Sequence, residues 1–161
     1  RSEISQLDMK KIDIVKIVEK VIKSHKKLSS NRIELEAESK SSFIRGDSAS
    51  ISELFVILID NALRYSPAKS KIQIQVFSAG GTVTTKVTNA GQGISSEDLP
   101  YIFDRFYRGE KSRSSQKETG YGLGLSLAKN IVELHEGSIR IESKPDDFTS
   151  VITTFRKISK K

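Results

Sequence analysis

Apolar residues recur along this chain in two rhythms, and the change from one to the other marks out its elements. Asp13 is a candidate N-cap, after which Ile14, Ile17, Val18, Val21 and Ile22 follow at helical spacing. That helix is expected to end near the Ser29-Ser30-Asn31 cluster. Residues 32–38 alternate polar and apolar, as a half-buried strand does, and Phe43-Ile44-Arg45 reads as a second short strand closed by Gly46-Asp47. From Ser48 to Tyr65 a helix is predicted that is apolar almost all round, hence central and buried, and Ser66-Pro67 stops it. Ile72, Ile74 and Val76 alternate with polar neighbours, Gly80-Gly81 turns the chain, and Val83, Thr85 and Val87 return as the hairpin partner.

The second half is more punctuated. A glycine-bearing loop at residues 89–93 leads to a short helix expected over 97–104. Residues 108–119 are polar and basic with no core-facing pattern, which predicts a mobile loop. A helix over about 123–135 and strands over 138–143 and 151–155 complete the chain. The helices are too few and too clustered for alternating βαβ units. The expected fold is an α/β (α+β) two-layer sandwich, a mixed sheet with helices packed on one face. Residues 1–12 read as the remnant of an upstream element and residues 13–161 as one domain.

Composition narrows the classes. The chain has 161 residues, 36% hydrophobic and 29% charged, ordinary values for one globular domain with a real core. No apolar run is long enough to span a bilayer, and the N-terminus lacks a signal-peptide layout, so no membrane contact by this chain itself is expected. Cysteine is absent, which excludes disulfides and thiolate metal sites and fits a cytoplasmic setting. His25 and His135 are the only histidines, too few for a histidine metal cage. The net charge of +7 owes much to Lys10, Lys11, Lys16, Lys20, Lys23, Lys26 and Lys27. These form either a solvated face or a patch for anionic lipid or nucleic acid. No aromatic residue interleaves with them, so base stacking has no platform and nucleic acid is not the expected partner.

Three polar clusters interrupt the apolar scaffold. Asn61, in Asp60-Asn61-Ala62-Leu63-Arg64-Tyr65-Ser66, follows the buried helical run and must find partners or cost about 1–3 kcal/mol. It is either a capping amide or an oxygen ligand for Mg2+. Asn89-Ala90-Gly91-Gln92-Gly93-Ile94 follows a strand; its glycines let backbone approach a flat ligand, and an amide can read an exocyclic amine. Gly120-Tyr121-Gly122-Leu123-Gly124-Leu125-Ser126 runs into a helix, where unpaired N–H groups suit an anion. No Gly-Lys-Ser/Thr follows, so this is not a Walker motif.

In this order, and with Ile102-Phe103-Asp104-Arg105-Phe106-Tyr107-Arg108 between the second and third, the clusters resemble the asparagine, first glycine, phenylalanine and second glycine boxes of sensor histidine kinases. That family lies within the superfamily of gyrase, heat-shock chaperone and mismatch-repair ATPases. The resemblance runs from about Asp13 to Phe155. It makes residues 1–12 similar to the end of the family's dimerisation-domain helix, and it implies the Bergerat ATP-binding fold with ATP and Mg2+ as ligands. Asn61 would ligand Mg2+, Arg64 would offer a cation to phosphate, and Tyr65 would contact the nucleotide or simply pack. Asn89 would read the adenine amino group beside Gly91, Gly93 and Ile94. Gly120, Tyr121, Gly122, Leu123, Gly124 and Leu125 would line the phosphate side under a lid over residues 110–119. Arg105 and Arg108 would contact phosphate, dock on the histidine domain, or pair with Asp104 or Glu110. Phe103 and Phe106 are expected in packing.

The activity implied is transfer of the ATP γ-phosphoryl group to a histidine on a separate dimerisation domain of the same parent kinase, for relay to the aspartate of a response-regulator receiver domain. The isolated domain would be a monomer, the parent a homodimer with a possible membrane anchor. A nucleotide-binding pseudokinase is the alternative. Neither His25, followed by Lys26-Lys27, nor His135 suits a phosphoacceptor, and both are read as structural. Three departures stand out. Ile57 occupies the place of the family's other box asparagine, so one polar contact near metal or phosphate is expected to be missing. Asn89 replaces an aspartate, which predicts weaker nucleotide binding than the acid would give. Pro145-Asp146-Asp147-Phe148 replaces a glycine-rich turn, expected to be variation away from the nucleotide.

Overall fold

A computed structural model of the chain describes residues 7–26, 32–104 and 120–159. Strands β1 (Met9–Asp13), β2 (Arg32–Ala37), β3 (Phe43–Asp47), β4 (Lys71–Ala79), β5 (Thr82–Ala90), β6 (Ser138–Lys144) and β7 (Phe148–Arg156) are joined by helices α1 (Ile14–Lys26), α2 (Ser48–Tyr65) and α3 (Gly120–Leu134). A five-stranded sheet has the order β2-β4-β5-β7-β6, with β2 parallel to β4 and every other pair antiparallel. It is mixed, as expected.

The period-two pattern decides the faces. Ile72, Ile74 and Val76 of β4 and Val83, Thr85, Val87 and Asn89 of β5 are buried on one side, with Val151, Thr153 and Phe155 opposite in β7. The other side carries Gln73, Gln75, Lys86 and Glu142, linked by solvent-facing contacts such as Gln73 to Glu36 and Lys86 to Glu142. Helices therefore cover one face only. They lie in the order of the strands beneath them, α1 against β2, α2 against β5 and α3 against β6, with α2 packed between its neighbours. Ile51, Leu54, Phe55, Leu58, Ile59 and Ala62 of α2 form the centre of the core. This arrangement is the two-layer sandwich read from the pattern.

Several boundaries differ from the sequence expectation. Residues 9–12, expected within an upstream remnant, form β1 together with Asp13 and pair antiparallel with β3, Met9 opposite Asp47 and Asp13 opposite Phe43. Residues 1–6 lie outside the described set, as does the predicted helix end at residues 29–31. Asp13 does cap α1. Its Oδ1 accepts from the Val15 and Ser42 amides, each at 3.0 Å, so one carboxylate starts the helix and pins the chain that enters β3. The helix expected over 97–104 shrinks to a 3-10 turn at Leu99–Tyr101, because Pro100 has no N–H to continue an α-helical ladder. The Gly80-Gly81 turn is confirmed by φ of 56° and 85°, the left-handed pair a two-residue hairpin needs.

Both histidines are held by the fold. His135 Nδ1 lies 2.8 Å from the Ile131 carbonyl and donates to it, so Nε2 accepts from the Asp47 amide at 3.0 Å. This joins the end of α3 to the start of α2, where Asp47 caps the helix by accepting from the Ser50 amide at 2.8 Å. The Ser50 side-chain hydrogen bond, with the Asp8 and Ser50 amides and His135 adding to it against a desolvation cost, lowers the Asp47 pKa from the usual carboxylate value. His25 sits on α1 with Nε2 at 2.7 Å from Asp60 Oδ1 and Nδ1 at 2.9 Å from the Val21 carbonyl. It thereby fastens α1 to the residue before Asn61.

Candidate functional site

Asn61 lies on the penultimate turn of α2, half-buried, with Arg64 exposed and Tyr65 half-buried in the last turn. One turn earlier on the same face stands Ile57. Its Cγ2 would lie 3.5 Å from a Cβ at Gly124, an ordinary contact distance, so α3 passes directly beside this stripe of α2. The Ile57–Asn61 stripe and the start of α3 are thus brought together. Ile57 fills with a methyl the place where a second amide was missing from the sequence pattern.

The first glycine cluster arrives from the sheet. Asn89 is the penultimate residue of β5 and is 6% exposed on the helix-covered face. Its Nδ2 donates to the Ala90 carbonyl at 2.9 Å, which fixes the amide's orientation and leaves Oδ1 as an acceptor with no hydrogen bond among the described residues. Gly91 follows with φ 152°, and a Cβ there would meet the Tyr65 carbonyl oxygen at 2.5 Å. The end of α2 and the loop after β5 therefore touch backbone to backbone, a contact only glycine permits. Gly93, at φ 75°, is equally confined, since a Cβ would come within 2.6 Å of the Lys144 carbonyl oxygen. Ile94 is 5% exposed and anchors the loop in the core.

Helix α3 begins at Gly120, earlier than the expected 123, so Gly120, Gly122 and Gly124 lie within its first turns. Glycine costs about 1 kcal/mol in a helix. Burial of Leu125 and Ala128 against the core, together with the close passage of Gly124 by Ile57, offsets that preference. The first backbone N–H groups of α3 have no carbonyl within the helix to bond. The side chains of Tyr121 and Leu123 lie outside the described set, as do Arg105, Phe106, Arg108 and the lid predicted over 110–119. Phe103, expected in packing, is partly buried against the core with Lys129 Nζ 5.9 Å from its ring centre.

The turn at Pro145-Asp146-Asp147-Phe148, expected to be variation away from the nucleotide, grips the glycine loop. The Gly91 amide donates to the Asp147 carbonyl at 3.2 Å, and the Asp146 amide donates to the Gln92 carbonyl at 2.6 Å. Asp146 adopts φ 63°, the left-handed conformation for which glycine is the easy choice. Two residues of this region were not singled out in the sequence. Thr149, 7% exposed, stands opposite Asn89 in the β5–β7 register, and Ser143 stands opposite Thr149 in β6. Strand parity is the signal that finds Thr149, because it shares the inward face with Val151, Thr153 and Phe155.

Three elements therefore end at one edge of the sandwich: the C-terminal turns of α2, the β5 loop, and the N-terminus of α3. Donors there suit a polyanionic ligand carried with a hard cation. Among the described residues no three of His, Cys, Asp and Glu converge to hold a metal alone. One amide oxygen at Asn61 instead fits a cation that takes its remaining oxygens from phosphate and water. An open groove of about 320 Å³ between α1 and β2, lined by Glu19, Ile22, Lys23, Ile33 and Leu35, contains none of these residues. Among the described residues no helix is long and apolar enough to cross a membrane.

Comparison with known proteins agrees with this geometry. Residues 46–158 match the family described as histidine kinase-, DNA gyrase B- and HSP90-like ATPase. The sensor histidine kinase YkoH of Bacillus subtilis is 34% identical over 150 residues, which cover 93% of this chain and 32% of that protein. The histidine-protein kinase ArlS of Staphylococcus aureus is 45% identical over 92 residues, 57% of this chain and 20% of its own length. The chain thus spans about a third or less of these relatives. Among solved structures, the mycobacterial sensor histidine kinase MprB superposes with a TM-score of 0.79 at 20% identity, covering 93% of this chain and 98% of that one. The catalytic domain of histidine kinase ThkA gives 0.79 at 22%, covering 94% and 97%, so the fold is that of these catalytic domains. With the family model matching from β3 through β7, the chain belongs to the histidine kinase-, DNA gyrase B- and HSP90-like ATPases, in the branch of the sensor histidine kinases.

Proposed function

We propose that this chain binds Mg·ATP at the edge where α2, the β5 loop and α3 meet, and donates the γ-phosphoryl group to a histidine on the dimerisation domain of its parent kinase. The observation that carries the reading is the convergence of Asn61, Asn89 and the first turn of α3 on one edge, held by the Gly91–Tyr65 and Gly124–Ile57 approaches. Asn89 Oδ1 accepts from the adenine amino group, with Gly91, Gly93 and Ile94 shaping the base slot. Arg64 neutralises phosphate charge, and Tyr65 closes the slot near the sugar. The N–H groups at the start of α3, which have no carbonyl within the helix to bond, cradle phosphates, as helix N-termini do. Asn61 would supply an oxygen ligand to Mg2+, which when bound would neutralise phosphate charge. Arg108, outside the described residues, would serve the phosphates as the family resemblance implies.

The acceptor histidine is not one of the two in this chain, since both are engaged in structural bonds. Phosphoryl relay to a response-regulator aspartate, a cytoplasmic location, a monomeric isolated domain and a homodimeric, membrane-anchored parent complete the proposal. Incubating the chain with radiolabelled ATP and the separately expressed histidine hairpin of the parent tests it. Label on the hairpin, absent with Asn61→Ala, is expected. Mg·ATP binding without label would instead identify a pseudokinase, and no heat with millimolar Mg·ATP would end the nucleotide reading.

A further inference from the structure

The loop that forms the base slot is gripped by the β6–β7 hairpin through three hydrogen bonds, and only one of them uses a side chain. Gly91 to Asp147 and Asp146 to Gln92 run backbone to backbone. The third is Ile94 N–H to Ser143 Oγ at 2.6 Å. The same hydroxyl donates to the Phe148 carbonyl at 3.0 Å and lies 3.2 Å from Thr149 Oγ1. A serine hydroxyl has one donor and two acceptor positions, so all three are committed.

We propose that Ser143 is a positioning residue for adenine recognition, setting the depth of the base slot by holding the loop after Asn89 against β6; this rests on the nucleotide reading above. The loop has little other freedom. On one side Gly91 presses on the Tyr65 carbonyl, and on the other Gly93 leaves only 2.9 Å between a Cβ position and Ser143 Oγ. The loop can approach the sheet only as far as that hydroxyl allows, and can leave it only by breaking the Ile94 bond. Ile94 is buried, so its amide has no ready water to replace the lost acceptor. Ser143 contacts neither base nor phosphate in this scheme; it acts through the backbone at residues 91–94. Asn89, two strands away in the same register row, holds its acceptor at the right height only while that backbone stays in place.

The test uses the 161-residue chain with Ser143→Ala and Ser143→Cys, the latter keeping the volume while weakening the bond. Three quantities are read: the melting temperature, exchange protection of the Ile94 amide by NMR, and the ATP Kd by calorimetry well below melting. The expected result is loss of Ile94 protection and an ATP Kd raised about fivefold or more for alanine, less for cysteine. A lower melting temperature with an unchanged Kd would show a purely structural role and overturn the proposal. If alanine does not fold, the cysteine variant decides on the same criteria. Wild-type chain that fails to bind ATP overturns the nucleotide reading and this inference together, whereas wild-type binding with indifferent variants overturns this inference alone.

Discussion

Replacing Asn89 by aspartate separates two roles that the amide now combines. A neutral hydrogen bond contributes about 1 kcal/mol net and a charge-assisted one about twice that, so Asn89→Asp should bind ATP about fivefold more tightly. The structure adds a cost. Nδ2 donates to the Ala90 carbonyl at 2.9 Å, and a carboxylate oxygen in that place is repelled. That loss, about 1–3 kcal/mol, acts on free and bound chain alike and therefore lowers the melting temperature without entering Kd. For 161 residues each kcal/mol corresponds to about 2–4 °C. Guanine, which presents a carbonyl where adenine presents an amine, gives the sharper readout. Asn89 can turn its amide and donate from Nδ2 at the expense of the Ala90 bond, a penalty near 1 kcal/mol. Aspartate cannot donate at all. The ratio of GTP to ATP Kd should therefore rise about tenfold in Asn89→Asp. Calorimetric titration of both nucleotides with Mg2+ measures it. An unchanged ratio, with ATP bound no more tightly, would refute the assignment of Asn89 as the base reader.

Gly91→Ala should weaken ATP binding severely and destabilise the fold by about 1–3 kcal/mol, because its Cβ meets the Tyr65 carbonyl oxygen at 2.5 Å; calorimetry and thermal melting report both. Ile57→Asn should tighten Mg·ATP about fivefold by restoring an amide beside Asn61, while its lost packing against Gly124 lowers the melting temperature. His135→Ala strips the Asp47 amide of its acceptor and should cost about 1–3 kcal/mol by chemical denaturation, with the ATP Kd measured well below melting unaffected. Asp47 has a lowered pKa in the folded chain, so its contribution to stability is full above the unfolded value of 3.8 and is lost as pH falls below it. Asp47→Asn should flatten that acid limb in a pH series of melting curves.

What the sequence disclosed, and what it withheld, follows the range of the interactions involved. Elements with a clean period stood where expected: α2 spans Ser48–Tyr65, and the β4–β5 hairpin turns at Gly80-Gly81. Local signals also placed the cap at Asp13 and singled out Asn61 and Asn89 as candidates, the first because an amide after an apolar run is conspicuous. Pairing was harder. Strand β1 is five residues of Met-Lys-Lys-Ile-Asp, with no alternation strong enough to announce it, and only its ladder with Phe43–Asp47 makes it a strand. The start of α3 was read late because glycine propensity argues against a helix that tertiary packing nevertheless imposes. The grip of the β6–β7 turn on the glycine loop was not legible, because sequence separation hides a contact between residues 91–94 and 143–147.

That hidden contact favours this edge of the sheet over the other for the proposed site. Along the inner face the paired rows run from Val83 and Phe155 through Thr85 and Thr153 to Val87 and Val151, and end at Asn89 and Thr149. Buried Thr85 and Thr153 satisfy each other through their hydroxyls, so the middle of the face stays closed and pays no desolvation penalty. At the last row the face turns polar, and Asn89 keeps an acceptor in reserve where Gly91 and Gly93 bring bare backbone alongside. A ligand admitted there needs no opening of the apolar core, only a loop held at a fixed height. The hairpin behind Ser143 supplies that constraint from the far strand of the sheet. Substitutions in β6 that never touch a nucleotide should therefore alter its affinity, whereas equally drastic changes on the solvent face, such as Gln73→Ala, should not.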